Sequence, residues 1–297
     1  MSSDDNNPFE AALPDDTYLL TQIPELATID MVRVNNQSRM FARANGLIPE
    51  LAKDMQYIHT VLDVGSSSGE WALSLAFTYP HLEVNGIDNK PAIVEYANAR
   101  ARSQERINIS FEVMDALKPL NFPENSFDLV NARLTAPFQT RETWPKTLRE
   151  WYRVCQPGGY LRLTETNDQG ETNSPKYEQF KALALEVCAR LGYSLDPTGK
   201  NMGLILRMAQ MMKAAGWRDI HEYPYMIDFS ANSDNWIFMC EDLDKSMLQM
   251  IPLISRVLGT GTAELELLRQ EAIAEMYSED FLGKWHYLTV IGKKPAQ

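Results

Sequence analysis

The chain has 297 residues with 44% hydrophobic content, and 40 Asp and Glu residues against 28 Lys and Arg give a net charge of −12. This excess of negative charge repels phosphate backbones and anionic lipid, so nucleic acids and membrane surfaces are poor partners. Cys155, Cys188 and Cys240 are too few and too far apart for a disulfide framework or a metal site. The polar start lacks a signal peptide's pattern and no apolar run could cross a bilayer, so we expect a cytoplasmic protein with no metal and no stable membrane insertion.

The N-terminal part divides into a polar tail and a helical segment. Residues 1–16 are rich in charge, Asn and Pro, which predicts a disordered tail. From 17 to 55, apolar residues recur at steps of three and four residues, the pattern of an amphipathic helix. We expect this segment to be a helical lid over a ligand site. Its apolar face is larger than one sheet edge needs, which favours a homo-oligomer formed through these helices.

Residues 56–297 have the pattern of one α/β domain. Five short strand-like runs, separated mostly by helix-sized segments, predict a doubly wound, mostly parallel sheet with helices on both faces. Two helices and a sixth strand follow these runs. A helical cap insert at 235–279 precedes a seventh and last strand. The predicted strands lie at 61–64, 82–88, 109–115, 127–132, 159–165, 218–229 and 284–294, and the two helices at 174–193 and 203–217.

The first strand ends in a glycine turn, VLDVGSSSGE at 61–70. Such a turn from a strand into a helix presents backbone N–H groups, and glycine lets a ligand approach the main chain. The sequence lacks the middle glycine of the dinucleotide fingerprint and the lysine of the phosphate-binding loop. The charge of Glu70 would also repel phosphate. The turn therefore favours a cofactor that has a nucleoside but no phosphate.

Acidic residues end the next two strands as well. Asp88 follows Gly65 by about 23 residues, where a carboxylate can accept hydrogen bonds from both ribose hydroxyls. Asp115 ends the third strand and could accept from an exocyclic amine such as that of adenine. A single aspartate at a strand end is more often a helix cap. Three in order, beginning with Asp63 at the glycine turn, favour nucleoside binding.

The motifs VLDVGSSSG, GIDNKP, VMDA, FDLVNAR and LREWYRVCQPGGYLRLTE carry a family resemblance. In this order they resemble the motifs of class I S-adenosylmethionine-dependent methyltransferases of the ubiquinone/menaquinone-biosynthesis type, over residues 60–170. The resemblance implies a Rossmann-like domain with S-adenosylmethionine as cofactor. A usual family pattern is D-x-G-x-G-x-G, so Ser67 stands for the middle glycine. Serine fits there if its backbone keeps a negative φ.

The resemblance also implies which side chains contact the cofactor. From the strand ends they are Asp63, Gly65, Ser66, Gly69, Asp88, Asn89, Asp115, Ala116 and Asn131. Within this set, Asp63 and Gly65 would contact the methionine part, and Asp88 the ribose. Asp115 would lie beside the adenine and Asn131 near the sulfonium.

A second pattern lies in the helical segment. Tyr18 followed by Arg33 and Gln37 resembles a Y…RLxxQH pattern of related small-molecule methyltransferases, with Ser38 in place of the usual His. The resemblance implies that Arg33 and Gln37 reach the cofactor carboxylate, for which a guanidinium is a natural partner. Arg33 as an ordinary solvated helix residue is an equal alternative.

Methyl transfer depends mainly on aligning a nucleophile in a dry pocket, although an oxygen nucleophile usually needs a general base. The candidates are Glu165, His221 and His286. Each has a structural alternative: the glutamate could be a cap, and the histidines could be ordinary strand residues.

The segments available to cover the strand ends are rich in Met, Leu, Ile, Phe and Tyr, which favours an apolar or aromatic small molecule. We therefore predict methyl transfer to a carbon or oxygen of such a molecule, in secondary metabolism or quinone-like biosynthesis. The alternatives are a cofactor-dependent cyclisation or rearrangement, and a cofactor-binding protein without activity. A protein or RNA methyltransferase is less favoured, since the acidic charge argues against RNA.

Overall fold

The computed structural model describes Gln37, Met40, Phe41 and residues 46–296. The predicted tail and most of the predicted lid, with Tyr18 and Arg33, lie outside the described residues. The three isolated residues are helical. Two single turns of 3-10 helix, Pro49–Leu51 and Met55–Tyr57, then lead into the first strand.

Eight strands form one sheet in the described part of the chain. They are β1 (Thr60–Val64), β2 (Glu83–Asp88), β3 (Ile109–Val113), β4 (Phe127–Arg133), β5 (Cys155–Thr166), β6 (Glu171–Thr172), β7 (Arg218–Asp228) and β8 (Gly283–Lys293). The order is β3-β2-β1-β4-β5-β8, with β6 and β7 both paired to β8. The first five strands are parallel, and β8 is antiparallel to its three neighbours. The doubly wound, mostly parallel sheet is confirmed, and the two-residue strand β6 is an addition to the seven predicted strands.

Seven α-helices flank the sheet in this part of the chain. They are α1 (Glu70–Thr78), α2 (Pro91–Ser103), α3 (Trp144–Val154), α4 (Pro175–Arg190), α5 (Met208–Ala214), α6 (Trp236–Leu258) and α7 (Thr262–Met276). The chain runs outward from β1 to β3 and then returns to build β4 and β5 on the other side of β1. Right-handed crossovers then put helices on both faces and open a crevice at the carboxyl ends of β1 and β4, the usual ligand site of such sheets.

A helical cap covers one side of this crevice. Helix α4 begins where the Ser174 hydroxyl accepts from the Tyr177 N–H at 3.1 Å, with Pro175 at the first helical position. Helices α6 and α7 form the helical insert before the last strand, and they pack against α4 and each other. Phe180 of α4 and Met247 of α6 share one buried apolar cluster there. None of the described helices is both long and apolar enough to span a bilayer.

Candidate active site

A cavity of about 330 Å³ opens at the carboxyl ends of β1, β2, β4 and β5, under α4 and α6. It brings together many of the residues predicted from the sequence. Those that line it are Gln37, Asp63, Gly65, Ser66, Asp88, Asn89, Ala116 and Glu165. Gly69, Asp115 and Asn131 do not line it, and neither do the two histidines.

The glycine turn has a left-handed backbone at three alternate residues. Gly65 has φ of +67°, Ser67 +49° and Gly69 +77°. The expectation that Ser67 keeps a negative φ is therefore wrong. A hydrogen bond from the Ser67 N–H to Oδ2 of Asp88, 3.1 Å long, holds the serine in this conformation. The acid predicted for the ribose thus also fixes the turn.

The two glycines of the turn serve different purposes. A Cβ on Gly65 would meet only the ring of Phe138, at 3.5 Å, so this backbone is open toward the cavity. A Cβ on Gly69 would lie 2.4 Å from the ring of Phe111, well inside contact distance. Gly69 therefore admits the packing of α1 against the sheet, whereas Gly65 leaves room for a ligand at the main chain.

Asp63 lies in the cavity beside the glycine turn, with 5% of its surface exposed. Its Oδ1 accepts from Nδ2 of Asn131 at 2.7 Å. Burial raises the pKa of Asp63 to about 6, against the effects of this hydrogen bond and of the charges on Arg133 and Arg162. Asn131 was expected near the sulfonium, but it lies behind Asp63, 1% exposed, because β1 and β4 place the two residues side by side in register.

Arg133 was not predicted from the sequence. It ends β4 and lines the cavity, and its guanidinium carbon lies 5.5 Å from the ring centroid of Phe41. Burial lowers its pKa to about 10, and the negative charge of Asp63 acts in the opposite direction. Its position at the carboxyl end of a central parallel strand was the available signal. The site thus contains a cation and a carboxylate that attract each other.

The acids at the second and third strand ends have different surroundings. Asp88 lines the cavity, and its Oδ1 accepts from the N–H of Lys90 at 3.0 Å. Asp115 does not line the cavity: its Oδ1 accepts from the N–H of Leu117 at 2.9 Å, and Oδ2 lies 3.4 Å from Nζ of Lys118. This carboxylate caps its own turn, the common role of such an aspartate. Its sequence neighbours Met114 and Ala116 do line the cavity, so a position of Asp115 beside the adenine stays a prediction.

Glu165 ends up fully buried while lining the cavity. Its Oε1 accepts from both the backbone N–H and the hydroxyl of Thr135, each at 2.7 Å. Its Oε2 has no hydrogen-bond partner among the described residues. Burial raises the pKa of this carboxyl to about 7, although the bonds from Thr135 and the backbone N–H of Ala136 act to lower it.

The two histidines lie away from the cavity. His221 in β7 and His286 in β8 are both exposed. In β8 the neighbours Trp285 and Tyr287 are buried, and because side chains alternate along a strand, His286 projects from the opposite face. This placement corrects the prediction that either histidine is a catalytic base.

Gln37 connects the N-terminal segment to the cap. Its side chain is 8% exposed, lines the cavity and donates from Nε2 to Oδ2 of Asp242 at 2.9 Å. Asp242 belongs to α6. The amide that was expected at the cofactor carboxylate therefore contacts the helical insert.

The other half of the cavity is mainly apolar and aromatic. Phe41, Phe180 and Trp285 line it, together with methionines of α6. The Trp285 indole N–H donates to the carbonyl of Asp168 at 2.8 Å, and the Tyr177 hydroxyl donates to the Gln169 carbonyl at 3.3 Å. These polar atoms are bonded within the protein, so the aromatic faces are left to contact a ligand.

Fold and site define a Rossmann-like domain with a turn suited to a nucleoside cofactor. Residues 61–159 match the family described as methyltransferase domain. A demethylmenaquinone methyltransferase of Deinococcus radiodurans is 35% identical over 105 residues, which are 35% of this chain and 42% of that protein. This part of the chain is therefore a class I S-adenosylmethionine-dependent methyltransferase domain of the ubiquinone/menaquinone type, as its motifs predicted, and the cofactor of this class is S-adenosylmethionine.

Two further similarities extend over more of the chain. Methyltransferase pytC of Aspergillus terreus is 22% identical over 249 residues, covering 79% of this chain and 71% of that protein. The structure of YcgJ protein from Bacillus subtilis superposes with a TM-score of 0.50 at 21% identity, over 83% of this chain and 98% of that one. The second similarity concerns the fold. The match to the Deinococcus protein spans less than half of that relative's length.

Proposed function

We propose that the protein transfers a methyl group from S-adenosylmethionine to a carbon or oxygen of an apolar or aromatic small molecule. The observation that carries this proposal is a single cavity with two unlike halves. One half is the glycine turn with its acids, and the other is lined by aromatic rings and methionines. A donor and an acceptor could therefore lie side by side without leaving the cavity.

The residues of the first half fit the cofactor. Asp63 and Arg133 offer opposite charges to the ammonium and carboxylate of its amino-acid part. Asp88 offers carboxylate oxygens to the ribose hydroxyls, and Met114 and Ala116 offer an apolar surface to the adenine. When bound, the cofactor supplies an electrophilic methyl group on a sulfonium. The site suits it better than a nucleotide, because two carboxylates beside the turn oppose phosphate.

The second half fits a molecule that shares its apolar character. The cap helices α4 and α6 and the helical residue Phe41 cover it, which excludes water and holds an acceptor in one orientation. Demethylmenaquinone methyltransferase, the name of the Deinococcus relative, describes methyl transfer to a quinone. This supports a setting in quinone-like biosynthesis or secondary metabolism. A cytoplasmic location and a homo-oligomer formed through the N-terminal helices belong to the same proposal.

The test has a binding arm and a transfer arm. We expect a one-site isotherm when S-adenosylhomocysteine is titrated into the protein in the presence of a chelator. We expect label from methyl-labelled S-adenosylmethionine to enter a small apolar product when a metabolite extract is added. Failure to bind would refute the cofactor assignment. Binding without transfer would instead favour a cyclisation or a non-catalytic role, and label in protein or RNA would overturn the substrate class.

A further inference from the structure

Glu165 lies where the two halves of the cavity meet. It is at the carboxyl end of β5, and β5 lies between β4, which ends in Arg133, and β8, which carries Trp285. Its register partner on β8 is Leu288. Because the cofactor half is built on β1, β2 and β4 and the aromatic half on β8 and the cap, this carboxyl borders both.

The two oxygen atoms of this carboxyl are in different situations. Oε1 is fixed by two hydrogen bonds from Thr135, so the side chain cannot rotate away without losing both. Oε2 is buried and has no partner among the described residues. A buried polar atom without a partner is costly and uncommon in proteins. In a residue that lines a cavity, a ligand can provide the missing partner.

We infer that Glu165 is the catalytic base of the transfer, and that the acceptor is a hydroxyl group on an apolar, ring-containing molecule. This inference rests on the proposed function. The O–H bond of the acceptor breaks and its proton goes to Oε2. A lone pair on the acceptor oxygen forms the new bond to the methyl carbon of the sulfonium donor. The electron pair of the broken carbon–sulfur bond stays on sulfur, so the donor loses its positive charge as Glu165 becomes neutral.

The other acids of the cavity have their oxygens engaged in different ways. Oδ1 of Asp63 accepts from Asn131, and Asp88 accepts from two backbone N–H groups. Oδ1 of Asp168 accepts from the N–H of Gly170 at 2.9 Å. Among the residues that line the cavity, Glu165 is the carboxyl that combines full burial with an unpaired oxygen in the described structure.

The charge of Glu165 responds to pH near neutrality. Burial raises its pKa to about 7, so the group can take up a proton during transfer and release it afterwards. Other titratable groups line the same cavity on the elements around it. They are Asp63, Asp88 and Lys90 near β1 and β2, Arg133 on β4, Asp168 after β5, and Tyr177, Lys181, Cys188 and Tyr193 on and after α4.

The first experiment measures binding and needs no turnover. The protein is saturated with S-adenosylhomocysteine, and 1-naphthol and naphthalene are titrated from pH 5 to pH 9. At high pH we expect 1-naphthol to bind about tenfold more tightly than naphthalene, because a carboxylate accepts its hydroxyl proton. This preference should decline as the pH falls through about 7. In Glu165→Gln the preference should not depend on pH, while naphthalene binds as in the wild type.

Two variants serve as references for this titration. Glu222→Gln makes the same chemical change at an exposed residue of β7 and should leave the titration unchanged. Thr135→Val removes one hydrogen bond that lowers the pKa of Glu165, so the midpoint should move to higher pH. Failure of S-adenosylhomocysteine to bind counts against the proposed function itself. If it binds but the preference for 1-naphthol is absent or independent of pH in the wild type, the inference about Glu165 alone is overturned.

The second experiment uses the acceptor found by methyl labelling. Glu165→Gln should lower the single-turnover rate at least about 100-fold, the usual contribution of a general base, with cofactor affinity unchanged. The labelled methyl should be on oxygen. A rate within a few-fold of wild type, or a methyl group on carbon, would overturn the inference.

Discussion

The side-chain amide of Asn131 connects the carboxylate of Asp63 to the buried guanidinium of Arg162. Its Nδ2 donates to Oδ1 of Asp63 at 2.7 Å, and its Oδ1 accepts from Nη1 of Arg162 at 3.0 Å. An arginine can only donate and an ionised carboxylate can only accept, so the two neighbours fix the orientation of the amide. Asn131 is therefore a positioning residue for Asp63.

Replacing Asn131 by Leu should make cofactor binding more sensitive to acid. In the wild type, Asp63 is ionised above a pKa of about 6, so its attraction for an ammonium group is lost as the pH falls through that value. The bond from Asn131 lowers this pKa, and its removal should shift the midpoint to higher pH. Calorimetry with S-adenosylhomocysteine from pH 5 to pH 9 measures both midpoints. Identical midpoints would show that Asp63 does not hold the ligand's ammonium.

Asp88→Asn should weaken binding of S-adenosylhomocysteine by about 1–3 kcal/mol, because the ribose hydroxyls lose a charged acceptor. Asparagine is preferable to alanine here, since Asp88 also accepts from the N–H groups of Ser67 and Lys90. The matched ligand is an analogue without ribose hydroxyls, whose affinity should change less. Calorimetry gives both values. Equal losses for the two ligands would mean that Asp88 acts only through the turn.

Two substitutions in the glycine turn should have opposite effects on stability. Ser67→Gly relieves a left-handed backbone at φ +49° and should raise the free energy of unfolding by about 0.5 kcal/mol, after the greater flexibility of unfolded glycine is subtracted. Gly69→Ala puts a Cβ 2.4 Å from the ring of Phe111 and should lower the free energy of unfolding by about 2–4 kcal/mol. Urea unfolding measures both. A stabilising Gly69→Ala would contradict the packing described.

Glu50→Gln should lower the free energy of unfolding by on the order of 3 kcal/mol, because it removes the ion-pair partner of the buried guanidinium of Arg162. Nε of Arg162 lies 3.1 Å from Oε2 of Glu50, and the two side chains are 7% and 0% exposed. Glu186→Gln is the matched control, since that residue pairs with Arg190 at the surface. Its effect should stay below about 1 kcal/mol. Similar losses in the two variants would show that burial adds nothing to the first pair.

Glu165→Gln should change how stability depends on pH. The native state raises the pKa of Glu165 from 4.5 to about 7, so it binds this proton more tightly than the unfolded chain does. Wild-type stability therefore falls as the pH rises from 4.5 to 7, by as much as about 3 kcal/mol. The glutamine variant lacks this decline. Urea unfolding should therefore show that its free energy of unfolding rises relative to that of the wild type between pH 5 and pH 8. The same pH dependence in both proteins would show that Glu165 is ionised normally.

The sequence predicted the fold well because the strands of a parallel sheet carry a strong signal. Runs such as VLDV and FDLVNA are mostly apolar, which indicates buried strands, and each has a polar residue, Asp63 or Asn131, next to its last position. The short strand β6 was missed, because two residues have no periodicity.

The site was harder to predict, because strand ends do not reveal which way a side chain turns. The sequence places Asp88 and Asp115 at the ends of neighbouring strands, but β3 ends at Val113, the register partner of Asp88, and of the two acids only Asp88 lines the cavity. Gln37 contacts Asp242, a residue 205 positions away, and no local pattern could indicate that contact. Arg133 was not predicted although it is the last residue of the motif FDLVNAR, because the resemblance implied a cofactor contact for Asn131 and none for the arginine.

The position of β8 has a consequence for how the chain reaches its native state. In the described structure, β8 lies between β5 and β7 and is the partner through which β7 joins the sheet. Asp228, the last residue of β7, precedes Gly283, the first of β8, by 55 residues. During synthesis, β5 therefore waits as an open edge and β7 stays unpaired until this strand emerges. The sheet is therefore completed by an interior strand. Loss of β8 would detach both β6 and β7, which pair only with β8 in the described structure.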